Sequence, residues 1–350
     1  MGIMDIALLI CLIICIFKIS VNLKGFYTDF LRHENTVIIS GLFVVFVFFS
    51  HFSSYVKVDH SLIYPLFTKV LGQLIVAPFF LFSGYGVMKS IENKGDIYIK
   101  SFWKNRVLKV WIHFALALLL FLVISFMNHS KYGLKRIILS FIGLSSIGNS
   151  NWYMFTILCL YVITMISSFC FRKKKTLIPY SVAVFVIIYM FVMRMNGKAY
   201  YYYDTSFAYA FGMLFAEYEN KINDYLTKNN KKYMVCFLIT IILFIVASLW
   251  RSYTHLISSF IFWVSCFCLL VLMLSMKVKS YNIILRALGK YSFEIYILQR
   301  IPMTLFVKMI PNVYVYFIIC VASTGILSLI FNRIEVFIDT LLFGYQSSYK

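Results

Sequence analysis

Two sets of side chains in this sequence have the chemistry of a reaction centre. His51 stands near the far end of an apolar stretch, Glu34 to Tyr55, ENTVIISGLFVVFVFFSHFSSY. An imidazole titrates near ambient pH and suits the removal of a proton from a hydroxyl during group transfer. Ionisable groups inside apolar spans usually face a cavity or a partner, although a histidine hydrogen-bonded at a helix end is the plainer reading. The second set is Arg106 and Lys109, three residues apart at the start of another apolar run. On a helix they share a face, which suits paired contacts to phosphate; charge anchoring at a membrane surface is again the plainer reading.

The elements that must position these groups follow from composition. The 350 residues are 62% hydrophobic and 13% charged, with a mean hydropathy of +0.85, well beyond the roughly half-apolar make-up of a soluble domain. Apolar runs fall at 4–22, 36–56, 70–91, 106–127, 152–170, 177–194, 205–218, 233–250, 255–276, 287–307 and 312–332. Their lengths match the hydrocarbon thickness at about 1.5 Å per helical residue, and they lack the period-2 alternation of a barrel. The expectation is an all-α, polytopic membrane bundle of about ten or eleven transmembrane helices. The runs at 205–218 and 134–147 are the weakest; the latter reads as a half-inserted helix.

Net charge is +20, which in a soluble protein would point to nucleic acid. Here the positive-inside rule explains it and no nucleic-acid partner is expected. The segments 18–35, 89–109, 171–176, 219–232, 277–290 and the tail after 332 hold 23 of the 33 Lys and Arg residues. That alternation places the N-terminus outside and the C-terminus in the cytoplasm. The eight cysteines lie within or beside apolar runs, and Cys266-x-Cys268 has the wrong spacing for a zinc pair, so no metal is expected. The N-terminal run lacks a basic leader and a small-residue cleavage site and reads as a retained span. One membrane domain fills residues 1–350, since no Pro-, Gly- or Ser-rich linker divides it. Glu294 comes four residues after Lys290 and reads as an interfacial ion pair.

Six segments in order carry a family resemblance: SGLFVVFVFFSHF at 40–52, FFLFSGYGVM at 79–88, FWKNRVLKVW at 102–111, NWYMFTILCLY at 151–161, FAYAFGMLFAEY at 207–218 and LGKYSFEIYILQ at 288–299. The chain resembles the membrane acyltransferase-3 family, whose members O-acylate surface carbohydrates. The likeness covers a core from 34 to about 340, leaving 1–33 as an additional span and loop. It implies transfer of an acyl group, usually acetyl, from cytoplasmic acetyl-CoA to a hydroxyl of a surface or capsular polysaccharide or its lipid-linked precursor, in a bacterial cell membrane. By the resemblance His51 matches the catalytic histidine, Arg106 with Lys109 matches an R-x-x-R donor pair, and the break holding Ser83 and Tyr85 lines the donor cavity. Lysine in the second place keeps the charge and loses the bidentate fork. Ser40 stands where the family often has Arg or Lys, and Gln299 where it often has His; both departures leave a catalytically inactive relative as one alternative.

On the predicted outer side, Trp152 and the run Tyr200 to Tyr203, then Asp204, suit an aromatic interface belt. The sharper alternative is an acceptor site in which Trp152, Tyr202 and Asp204 hold sugar. The competing function class is a glycan or lipid transporter, which would need a polar path through the lipid and no acyl donor.

Overall fold

The structure, a computed structural model, describes residues 2–57, 61–127 and 131–344, with the side chains of Ile3 and Val70 excepted. The chain runs through α1 (Ile3–Ile16), β1 (Ile19–Val21), α2 (His33–Phe52), α3 (Ile63–Leu71), α4 (Ala77–Lys94), α5 (Asp96–Phe102) and α6 (Lys109–Met127). It continues through α7 (Leu134–Phe141), α8 (Trp152–Cys170), α9 (Ile178–Met195), α10 (Phe207–Thr227), α11 (Asn230–Thr254) and α12 (Ile257–Lys277). The last elements are β2 (Val278–Ser280), α13 (Ile283–Lys290), α14 (Ser292–Leu298), α15 (Arg300–Phe306) and α16 (Val313–Phe343).

Among the described residues eight helical stretches are long and apolar enough to cross a membrane, and the protein is an all-α polytopic membrane bundle. The surface fits that class. Helix α11 leaves Val235, Leu238, Ile242 and Ile245 about half exposed, while Thr156, Thr164, Ser167 and Ser168 of α8 are buried. Lipid can cover such an apolar exterior, and backbone and hydroxyl partners engage Thr156, Thr164 and Ser167 inside.

Three of the eleven expected runs take other forms. The first ends at Ile16 as a 14-residue helix, and the remainder of that run contains β1. The weak run at 205–218 becomes the 21-residue α10, whose second half carries Glu217, Glu219, Lys221 and Asp224. The run at 287–307 is broken into α13, α14 and α15. Pro302 accounts for the last break: it has no N–H for the Leu298 carbonyl, and its ring crowds the preceding turn. The stretch at 134–147 gives the eight-residue α7.

Two glycine seams set the closest approaches. A Cβ on Gly41 of α2 would collide with the Leu285 carbonyl oxygen of α13, and one on Gly289 with the Val37 carbonyl oxygen. Gly84 of α4 and Gly212 of α10 stand in the same relation to Tyr209 and Leu81. Small residues let the backbones touch where a hydrophobic driving force between helices is missing.

Residues preceding α2 are fastened to the rest of the bundle. The Asp5 carboxylate accepts the backbone N–H groups of Leu62, Ile63 and Tyr64 at 2.8, 3.1 and 2.9 Å, capping the start of α3 from a neighbouring helix. Strand β1 pairs antiparallel with β2, Ile19 opposite Ser280. Beside this ribbon Asn282 Nδ2 donates to the Ile14 carbonyl at 2.6 Å. Lys279 Nζ meets Asp29 Oδ2 at 2.6 Å, and this bond holds the Asp29 carboxyl below its usual range.

Candidate active site

Helix α2 delivers His51 in its last turn. The ring is surrounded by protein and still keeps accessible surface, so it lines an internal space. Its Nδ1 is buried and finds no hydrogen-bond partner among the described residues.

Three other segments converge on it. The broken helix brings Tyr296 of α14, with ring centroids 5.9 Å from His51, and Arg300 at the start of α15, whose charge lies within electrostatic reach of both rings. Helix α8 brings Tyr153, 5.0 Å from Tyr296. The turn before α8 brings Asn149 and Ser150. That turn is locked by Asn149 Oδ1, which accepts from Ile147 N at 3.0 Å, and by Asn151 Nδ2, which donates to the Gly143 carbonyl at 2.8 Å.

In the same segments further buried polar atoms lack a partner among the described residues: Tyr296 Oη, Arg300 Nε, Gln299 Oε1, Ser150 Oγ and Asn149 Nδ2. Ser150 lies beside the Tyr296 hydroxyl. Each buried unmet group costs on the order of 1–3 kcal/mol, and such clusters mark strain, chemistry or a bound partner.

From Tyr153 and Tyr296 a cavity of about 160 Å³ extends along the bundle, lined also by Ser40, Val76, Phe79, Phe82, Ser292 and Phe293. Ser40 precedes His51 by eleven residues, roughly 16 Å at helical rise. The cavity thus reaches from beside the histidine toward the opposite end of the bundle.

That opposite end is basic. Over Trp103–Leu108 the helix widens into a π-turn before α6, a local device common at functional sites. Within it Arg106 Nε donates to the Tyr98 hydroxyl at 2.9 Å. Lys109 turns to α16 and meets Asp339 Oδ2 at 2.5 Å. The two cations expected on one face therefore engage different neighbours in this structure. Beyond Lys109 a buried polar chain continues: His113 Nε2 is 3.0 Å from Asp339 Oδ1, and its Nδ1 is 3.2 Å from Glu335 Oε1. Glu294 accepts from Asn332 Nδ2 at 2.6 Å. The expected pairing of Glu294 with Lys290 is thus replaced by a partner on α16, reached because Glu294 faces the bundle interior and is 4% exposed.

Ser83 Oγ and the Tyr161 hydroxyl lie 2.9 Å apart, and the Tyr85 hydroxyl donates to Glu219 at 3.0 Å. Tyr161 and Tyr153 are two turns apart on α8, so Ser83 lies about 12 Å along the helix from the histidine cluster. At the same basic end a second cavity, about 790 Å³, is lined by Asp96, Arg172, Lys173, Lys174, Lys175 and Thr176.

The outer aromatic residues divide. Trp152 and Tyr201 have ring centroids 5.9 Å apart, beside Tyr153. Tyr202 is buried, its hydroxyl accepting from Asn151 Nδ2 at 2.8 Å and its carbonyl from Thr156 Oγ1 and Tyr189 Oη, each at 2.9 Å. Asp204 is fully buried against Arg251, with Oδ2 3.2 Å from Nη2. Burial pushes its carboxyl up to about 7, against the pull of Arg251. Tyr153, Tyr296 and Arg300 carry little signal in the sequence beyond a lone arginine and a proline inside an apolar run.

The bundle thus sets a buried imidazole beside Tyr296, which lines an internal cavity, and clusters cations at its opposite end. The family model described as Acyltransferase domain matches residues 39–333. The chain belongs to the acyltransferase-3 family, and its activity is acyl transfer between a donor and an acceptor. No curated protein and no solved structure matches it.

Proposed function

We propose that the protein O-acetylates a hydroxyl of a cell-surface or capsular polysaccharide, or of its lipid-linked precursor, using cytoplasmic acetyl-CoA, in a bacterial cell membrane. The observation that carries this reading is the cavity running from Ser40 to Tyr153 and Tyr296 beside His51. In this reading the basic end faces the cytoplasm, as does the C-terminus, and the N-terminus lies outside. Arg106 and Lys109 hold donor phosphates by exchanging Tyr98 and Asp339 for phosphate oxygens. Ser83 and Tyr85 flank the donor, and the cavity admits the thin thioester arm. Trp152 stacks on the acceptor; Tyr202 and Asp204, locked by their partners, support that face.

His51 takes the proton of the acceptor hydroxyl as its oxygen forms the new C–O bond to the thioester carbonyl carbon. The C–S bond then breaks, and the imidazolium returns the proton to the departing thiolate. Atoms and charge balance without a co-reactant.

The test compares surface-glycan O-acetyl content, by NMR before and after alkaline de-esterification, in cells carrying wild type or His51→Ala. Removing a general base costs about 10²–10⁴ in rate, so acetylation should fall to background. Unchanged acetylation at normal protein level sinks the assignment.

A further inference from the structure

We propose, resting on that reading of the site, that Arg300 is a second catalytic residue: its guanidinium donates to the carbonyl oxygen of the transferring acyl group and stabilises the oxyanion that develops there, with the Tyr296 hydroxyl as the companion donor.

Placement argues first. A cation inside an apolar run is costly and is retained where it serves a path or a site. Arg300 opens α15 directly after Gln299, which caps the end of α14, and its charge is within electrostatic reach of the His51 ring. Pairing argues second. Lys89, Lys109, Arg172, Arg251, Lys279 and Arg286 each meet a carboxylate. Among the described residues Arg300 meets none, and its buried Nε has no hydrogen-bond partner.

Charge balance argues third. A guanidinium stays protonated and cannot serve as a base. When His51 accepts a proton, two positive groups face each other in a poorly screened interior. That repulsion opposes the proton transfer unless negative charge appears between them at the same moment. Addition of the acceptor oxygen to the thioester carbonyl supplies it: the π electrons move onto the carbonyl oxygen, forming the tetrahedral oxyanion. As this collapses, the C=O bond re-forms and the thiolate leaves. Donors fixed in advance at the developing charge lower the barrier without reorganising, and idle buried Nε–H and O–H groups are what such a site requires.

The experiment uses membranes containing the full-length chain, radiolabelled acetyl-CoA and the native surface glycan. Arg300→Gln should lower kcat about 10²–10³-fold, the cost of losing an oxyanion donor, with KM for donor and acceptor within about threefold. Arg300→Lys should lie between, and adding guanidinium ion should raise the rate of Arg300→Ala; rescue is not expected if the side chain only packs. Tyr296→Phe should lower kcat by a smaller factor. Unchanged kcat in Arg300→Gln overturns the proposal, as does a rise in acceptor KM alone, which would make Arg300 a contact to an anionic acceptor. A variant that fails to accumulate shifts the decision to Arg300→Lys and Tyr296→Phe, where full kcat in both overturns it. If wild-type membranes transfer no label from acetyl-CoA, the underlying reading fails instead.

Discussion

The two ends of the bundle differ in how they treat the polar groups that stand out in the sequence. At the basic end the residues that stand out in the sequence are engaged: Arg106 with Tyr98, Lys109 with Asp339, Ser83 with Tyr161, Tyr85 with Glu219. At the histidine end the buried atoms His51 Nδ1, Tyr296 Oη, Arg300 Nε, Gln299 Oε1 and Ser150 Oγ lack a hydrogen-bond partner among the described residues. The difference separates holding from reacting. Half-exposed pairs such as Lys109 and Asp339, 40% and 21% exposed, can trade one oxygen for another at little cost, because surface ion pairs are weak. Groups meant for a transient charge gain most when nothing else occupies them and water is excluded.

The largest effect expected from breaking this arrangement comes from the seam that holds α2 against α13. Gly41→Leu forces a side chain into the Leu285 carbonyl and should cost more than the ~1–3 kcal/mol of ordinary overpacking. Size-exclusion chromatography of detergent extracts should show little intact protein, whereas Gly133→Leu, which meets open space, should behave as wild type. Both ends would fail together in the first case. A narrower cut is Lys109→Gln. If the basic end holds and the histidine end reacts, donor KM should rise about tenfold or more, the worth of one charged hydrogen bond at ~1.5–3 kcal/mol, with kcat nearly unchanged. A fall in kcat at constant KM would erase the division of labour.

The smallest effect tests whether a buried polar group away from the cavity is structural. Asp204 has a folded value near 7 against an ordinary 3.8. Between those values the unfolded chain has released a proton that the folded chain keeps. Its contribution to stability therefore declines as pH rises from about 4 to about 7. Melting curves of wild type and Asp204→Asn across that window should show the wild type losing ground to the variant with rising pH. A constant difference would mean that Arg251 keeps Asp204 ionised throughout.

Much of this architecture is readable in the sequence because lipid imposes a simple rule, that the backbone must be satisfied within each apolar run. His51 is visible for a related reason: an ionisable group in such a run is expensive. The face shared by Arg106 and Lys109 is not readable, since it presumes α-helical spacing and the π-turn at Trp103–Leu108 alters the register. Nor is the partner of Glu294, because Asn332 is distant in the chain and the local Lys290 is the nearer guess. Arg300 is hidden by its neighbours: at the end of a charge-poor run, a lone arginine looks like a loop residue until α14 and α15 are seen to carry it to the neighbourhood of His51.

The ribbon of β1 and β2 bears on the order in which the molecule is made. Ile19 is synthesised before α2 and the helices that follow it, and Ser280, opposite it, only after most of them. The early strand must therefore stay available through the whole of insertion, and the clasp made by Lys279 and Asn282 closes as one of the last long-range events. Contacts so distant in sequence are slow to form. The ribbon can therefore close only after the intervening helices have been made.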